Sequence, residues 1–304
     1  MITVIGQAMV KLVTEPGSGL MEASPGGGAF TTAVQAARLG YPTSLMARLS
    51  RDPLGQFLRL QAASNGLDVS ASPEADEPTM IAVASADAEA LSTDSLYSRD
   101  TASWQWSAAE LGWIPAGTTV LNLDLLDCCV LPGSTWILRA AARHRSRGAV
   151  ICLNVTVTPA VMGSPTRGQL LVSRPVKAAD LITTSLEDIS WLYPGRAPEA
   201  VARLWLAQGP ELVVITLGSD GLVAVRKSGT VLYRATGPQP ASVTGFDAAF
   251  TGALLGGLHE LSDAGVSIDA LSTSELASVL DTATATASRA DMSCLNLATA
   301  AAPR

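Results

Sequence analysis

The stretch Ser242-Val243-Thr244-Gly245-Phe246-Asp247-Ala248-Ala249-Phe250-Thr251-Gly252 reads as a strand end, a tight glycine turn and the start of an apolar helix. A turn of that kind leaves the backbone N–H groups of Gly245, Phe246 and Asp247 at the helix N-terminus, where the positive end of the macrodipole favours an anion. These three residues are a candidate anion hole. Asp247 is an acid placed to serve as a base beside it. Aspartate is also common at that position for capping alone.

Outward from this turn the chain alternates between strand and helix. Short β-branched runs at Thr3–Ile5, Val120–Leu123, Ala149–Leu153, Leu181–Thr183 and Leu212–Thr216 are separated by alanine- and leucine-rich segments. The latter, at Ala33–Leu39, Leu54–Ser64, Trp136–His144, Pro198–Ala207 and Ala248–Leu261, have helical length. Strands joined by helical crossovers predict an α/β fold with a doubly wound, mostly parallel sheet. Two regions lack intervening helices, from about Lys11 to Ser24 and from about Thr79 to Ala102. They predict a small β flap on one α/β domain spanning residues 1–304, because no linker divides the chain. The segment Ala283–Pro303 reads as a last helix followed by a loose tail.

Composition narrows the function classes. The 304 residues are 48% apolar and 15% charged, which argues against disorder. A net charge of −7 offers nothing to neutralise a phosphate backbone, so nucleic acid is not an expected partner. Met1–Gly6 reads as a first strand, and no run approaches the length of a membrane span, so neither a signal peptide nor a membrane partner is expected. Cys128, Cys129, Cys152 and Cys294 have no metal-binding spacing and read as reduced thiols of a cytoplasmic protein.

Three glycine clusters offer close approach to a ligand. Pro25-Gly26-Gly27-Gly28-Ala29-Phe30-Thr31 leads into a helix that ends Ala37-Arg38-Leu39-Gly40. Thr216-Leu217-Gly218-Ser219-Asp220-Gly221 follows a parallel strand, at the edge where open α/β sheets bind ligands. The third is the turn at Gly245. None matches GxxxxGK[ST] or GxGxxG, so neither a P-loop nor a Rossmann site is supported.

Taken together these pieces resemble the PfkB (ribokinase-like) family of carbohydrate kinases, nearest its fructokinase-like branch. Ile5–Val10 is similar to the family's first strand, Gly26–Gly40 to its N-terminal signature, and Asp52-Pro53-Leu54-Gly55 to its Asp-x-x-Gly turn. Tyr97-Ser98-Arg99-Asp100-Thr101-Ala102 resembles the flap strand that covers the sugar. Ser185-Leu186-Glu187-Asp188 resembles the Asn/Ser-x-x-Glu element near magnesium, Thr216–Gly221 the nucleotide-side loop, and Gly245–Gly252 the Gly-Ala-Gly-Asp signature. The resemblance implies a ribokinase-like fold and transfer of the ATP γ-phosphoryl group to a sugar or sugar-like hydroxyl, with ATP and Mg²⁺ as cofactors. It also implies a homodimer through the flap. It assigns substrate binding to Lys11, Gly26, Gly27, Gly28, Thr31, Tyr97, Arg99, Asn154 and Thr158. Nucleotide binding goes to Ser185, Thr216, Gly218 and Gly221, and a metal contact to Asp188.

The polar positions depart from that pattern. The base position of Gly-Ala-Gly-Asp falls on Ala248, its second glycine on Asp247, and the preceding aspartate on Ser242. The first-strand aspartate aligns with Lys11 and the glycine-signature asparagine with Thr31. The Asp-x-Asn-x-Arg segment aligns with Asn154, Thr156 and Thr158. Each change removes or reverses a group aimed at sugar or phosphate. Two expectations follow: a kinase of impaired activity with Asp247 as a displaced base, or an inactive homologue that binds a sugar-like ligand, a nucleotide or a protein.

The remaining candidates have simpler readings. His144, among Arg139, Arg143, Arg145 and Arg147, reads as part of a solvated helix face, and His259 as a surface or partly satisfied residue. Trp104 and Trp106 alternate as they would on one side of a strand.

Overall fold

The structure is a computed structural model that describes residues 1–14, 20–85, 95–234 and 245–289. The Ser242–Thr244 lead-in to the glycine turn, Cys294 and the tail beyond Arg289 lie outside the described residues.

The elements alternate as the sequence predicts. The strands are β1 (Ile2–Ile5), β2 (Met9–Thr14), β3 (Met21–Gly26), β4 (Thr43–Met46), β5 (Leu49–Ser50), β6 (Glu74–Ala75), β7 (Met80–Ser85), β8 (Ser95–Tyr97), β9 (Val120–Asp124), β10 (Val150–Val155), β11 (Leu181–Ser185), β12 (Leu212–Thr216), β13 (Leu222–Arg226) and β14 (Val231–Arg234). The helices are α1 (Gly28–Arg38), α2 (Pro53–Ser64), α3 (Gly133–Arg145), α4 (Pro159–Met162), α5 (Pro165–Ala178), α6 (Leu186–Leu192), α7 (Pro198–Leu206), α8 (Phe246–Asp263) and α9 (Thr273–Arg289).

One sheet has the order β14-β13-β12-β11-β10-β9-β1-β4, parallel from β4 through β12 and closed by an antiparallel β13–β14 edge. Helices cover both faces, so β1, β9 and β12 are buried along their whole length, as expected of doubly covered parallel strands. One core holds α1, α2, α8 and α9 against the sheet; the other holds α3, α5, α6 and α7. From β1 the chain moves outward to β4, then returns to β9 on the other side of β1. That reversal makes a topological switch point at the carboxyl ends of β1 and β9, the place where such sheets take ligands.

A second sheet, β3-β2-β7-β8, forms the flap. Its stems are pinned to the body. Asp52 caps α2 through the Gly55 N–H at 2.7 Å, and it also accepts from the N–H and hydroxyl of Thr79 at 2.8 and 2.7 Å. Thr79 is the residue before β7. The buried Arg48 pairs with Glu77 and Glu110 and donates to the Ala102 carbonyl.

Several elements differ from the sequence reading, each for a local reason. α1 begins at Gly28, not Ala33, because Gly27 at φ 102° turns the chain and its carbonyl takes the first helical bond from the Thr31 N–H. α5 was not anticipated, since Gly168 and Pro175 interrupt its pattern. Gly168 is needed there, because a Cβ would lie 2.8 Å from both Leu192 and Trp191. Trp104 ends a short 3₁₀ turn, Ala102–Trp104, so it and Trp106 do not share a strand face; both are buried. His144 is buried rather than solvated, because it lies on the Ile137–Ala140–Ala141 stripe of α3 that faces the sheet. His259 is also buried, its Nδ1 2.8 Å from the Thr119 hydroxyl.

Candidate active site

A narrow cleft opens at the carboxyl ends of β10, β11 and β12. Asn154, Thr156, Thr183, Ser185, Asp188, Thr216 and Asp247 supply its polar lining. These side chains come from three adjacent strand ends and two helix starts. The start of α8, after the Gly245 cap, borders this space through Asp247, Phe250 and Thr251. Phe246 is buried and stacks on Phe250 at 6.2 Å, which fixes how the helix enters.

Asp247 Oδ1 accepts the Thr216 hydroxyl at 2.8 Å. The carboxylate keeps an accessible face toward the cleft while protein atoms crowd its other side. Lost hydration raises its pKa above the usual carboxylate range; the Thr216 hydrogen bond opposes that shift and the Glu187 charge adds to it. Asp188 is more constrained. It forms a capping box with Ser185, and its two oxygens accept from the Val157 N–H at 2.6 Å and the Ser185 hydroxyl at 2.6 Å. Burial pushes its carboxyl up to about 6, with Asp247 adding repulsion.

Beside this cleft, at the switch point, lie two acids that the sequence reading missed. Asp124 ends β9 and Asp127 follows it, both only 2% exposed. Asp124 Oδ1 accepts from the Leu126 N–H at 3.0 Å, and Oδ2 has no partner among the described residues. With its amide turned to donate, Gln7 reaches both carboxylates, 3.2 Å from Asp124 Oδ1. Burial pushes Asp124 up to about 6 and Asp127 higher still. A Cβ on Gly28 would collide with Asp124 Oδ2, so the glycine turn is seated directly on this acid. The available signal was an aspartate ending an apolar strand at the carboxyl edge of the sheet.

The structure brings only some of the expected residues together. Gly26, Gly27 and Gly28 form the turn between β3 and α1, and Lys11 on β2 lies next to Gly26. Thr31 spends its hydroxyl on the Gly27 and Gly28 carbonyls at 3.0 and 3.1 Å. Asn154 accepts from Thr183 at 3.2 Å. Thr158 caps α4 away from the cleft lining, and Ala248 is the third residue of α8 and does not line the cleft. Tyr97 and Arg99 are exposed at the end of β8 and do not line the cleft. Gly218 and Gly221, at φ 62° and 102°, shape the 3₁₀ turn after β12.

The model of the pfkB family carbohydrate kinases matches residues 1–290. This chain belongs to the pfkB carbohydrate kinase family. A fructokinase of Rhizobium leguminosarum bv. trifolii is 25% identical over 225 residues, 73% of this chain and 68% of that protein. The fold matches aminoimidazole riboside kinase from Salmonella enterica, solved with aminoimidazole riboside and an ATP analog. That match has a TM-score of 0.80 at 22% identity, covering 94% of this chain and 92% of the other. Fructokinase with bound ATP from Xylella fastidiosa gives a TM-score of 0.83 at 17% identity, over 94% and 90% of the two chains. The ribokinase-like α/β architecture is thereby established. No described helix is long and apolar enough to cross a membrane.

Family kinases are seen with ATP, and the donor set here suits the hard cation that accompanies it. The Asp247 carboxylate raises the proton affinity of Asp188, a repulsion a divalent ion relieves. Mg²⁺ needs only one or two carboxylates when phosphates and water complete its shell.

Proposed function

We propose that this protein is an ATP-dependent phosphotransferase acting on a sugar or sugar-like alcohol, at a rate reduced by the loss of the family's base. Asp247 carries this reading: it brings a carboxylate of raised proton affinity into the cleft at the N-terminus of α8. Ala248, the family's base position, has no proton acceptor. Asp247 takes the substrate hydroxyl proton from one position earlier, and the Thr216 hydroxyl orients it. The Gly245–Asp247 amides face the transferring phosphoryl group. Mg²⁺, when bound, neutralises phosphate charge; Asp188 is the residue that would hold it, in part through water. Gly26–Gly28, Lys11, Thr31 and Asn154 surround the sugar side, and Ser185, Thr216, Gly218 and Gly221 the nucleotide side. Fructose and aminoimidazole riboside, the compounds for which the relatives are named, set the first substrates to try.

A second reading is favoured by the same contact. Thr216 already occupies one oxygen of Asp247, and with Ala248 at the base position the cleft then binds ligand without transferring phosphate. ATP consumption with fructose, other hexoses and ketoses, and nucleosides separates the two. Wild-type turnover that falls about 10²-fold or more in Asp247→Asn supports the displaced base. Turnover indifferent to that change removes Asp247 from the mechanism, and turnover absent from wild type leaves the binding role.

A further inference from the structure

The helix layer of α3 and α5 carries a charge pattern that the cleft does not use. From Cys128 to Ala179 the chain contains no Asp or Glu, so all 27 acids lie elsewhere, while seven of its 20 lysines and arginines fall inside. Those seven are Arg139, Arg143, Arg145, Arg147, Arg167, Arg174 and Lys177. The two helices follow successive parallel strands, pack against each other and share one core, so their outward faces form a continuous surface.

Arg145 pairs with Asp180, and the other six cations have no carboxylate partner among the described residues. Arg139 lies over the Trp136 ring at 4.8 Å, and Arg147, Arg174 and Lys177 are exposed. The others are held in place: Arg145 by Asp180, Arg143 by the Leu111 carbonyl and Arg167 by the Val161 carbonyl. Leu170, 71% exposed on α5, and Leu131, 69% exposed just before α3, stand on the same layer. The opposite layer has the reverse sign: α8, α9 and their connection carry Asp247, Glu260, Asp263, Asp269, Glu275 and Asp281 against Arg289 alone.

We propose that the α3–α5 face is a docking surface for an acidic segment of a partner protein. Arginine outnumbers lysine six to one there, and exposed leucine and a half-buried tryptophan accompany it, which is the composition of protein interfaces. Arginine forks grip carboxylates two at a time, whereas a lysine-rich patch acts as point charges. A short acidic segment seated on this face feels the local positive field, because the acids of the opposite layer are screened beyond about 8 Å at physiological salt. A long phosphate polymer or an anionic bilayer extends past the patch and meets the net charge of −7.

The test uses the full-length protein and a fluorescent peptide of glutamates interspersed with leucine, titrated by anisotropy at low and physiological salt. Arg174→Glu with Lys177→Glu is expected to weaken binding about tenfold or more, with wild-type thermal stability. Leu170→Ser weakens it at unchanged charge. Arg38→Glu with Arg289→Glu makes the same net-charge change on the opposite layer and leaves binding within about twofold. The proposal is overturned if wild type does not bind the peptide, or if both double variants lose binding equally. It is also overturned if phosphatidylserine vesicles or a single-stranded oligonucleotide bind the face more tightly than the peptide.

Discussion

Thr216, the last residue of β12, donates its hydroxyl to Asp247, the second residue of α8, across 2.8 Å. This bond ties the strand to the helix start and lowers the proton affinity that burial raises in the acid proposed as base. Removing the donor in Thr216→Val raises the Asp247 carboxyl further, because the hydrogen bond opposes its burial. The acid limb of the pH–rate profile then moves to higher pH. A profile that stays fixed while turnover persists excludes Asp247 as the titrating base. The stability cost is about 1 kcal/mol.

Ala248→Asp restores a carboxylate where the family carries its base. If the remaining cleft is competent, this variant raises ATP-dependent turnover on the best substrate by about 10²-fold. An unchanged rate would show that the sugar-side substitutions, not the missing base, limit the reaction.

Gly28 and Asp124 are in steric contact, so Gly28→Ala is expected to cost about 1–3 kcal/mol. Asp124→Ala removes the obstructing oxygen. A double-mutant cycle by urea denaturation should then show the pair to be coupled by at least about 0.5 kcal/mol, with Asp124→Ala rescuing Gly28→Ala. Additive losses would mean that the turn yields without touching the acid.

Asp124 also gives stability a defined pH dependence. Its pKa is raised from 3.8 to about 6, so the native state keeps a proton that the unfolded chain has lost. The resulting stabilisation is complete below pH 3.8 and disappears as pH rises through about 6, a swing of up to about 3 kcal/mol. Asp124→Asn keeps an acceptor for the Leu126 N–H and removes the titration. Its stability relative to wild type should therefore be greater at pH 8 than at pH 4 in urea melts. The reverse order would contradict a buried acid of raised pKa.

Asp52 holds three donors, one from α2 and two from Thr79 at the flap stem. Asp52→Ala leaves them unpaired at a cost of about 2 kcal/mol or more. Limited proteolysis should then cut the flap faster than the body; uniform cleavage would mean that Asp52 serves α2 alone.

The fold was legible because its signals are local. Apolar β-branched runs such as Leu212–Thr216 and the glycine turns at Gly27 and Gly245 fix element type through backbone sterics and burial. The end of each such run also marks the edge where a doubly wound sheet binds ligands. Where local signals conflict with packing the reading failed. Gly168 and Pro175 look like breakers until Leu192 and Trp191 are seen to press on the glycine, and His144 looks solvated until its helix face is known.

The sequence by itself therefore determined the family framework, the placement of Asp247 at a helix start and the absence of a carboxylate at Ala248. These follow from residue identity at one position and need no neighbour. Only the tertiary structure decided what those groups do to one another. It joined Asp247 to Thr216 and gathered Asn154, Asp188 and Asp247 from a strand end and two helix starts. It also buried Asp124 under Gly28 and Asp127 beside Gly6. Proton affinity depends on burial and on charges within a few ångströms, and residues scattered from position 124 to position 247 acquire that proximity only when β9 through β12 align and α8 closes over their ends.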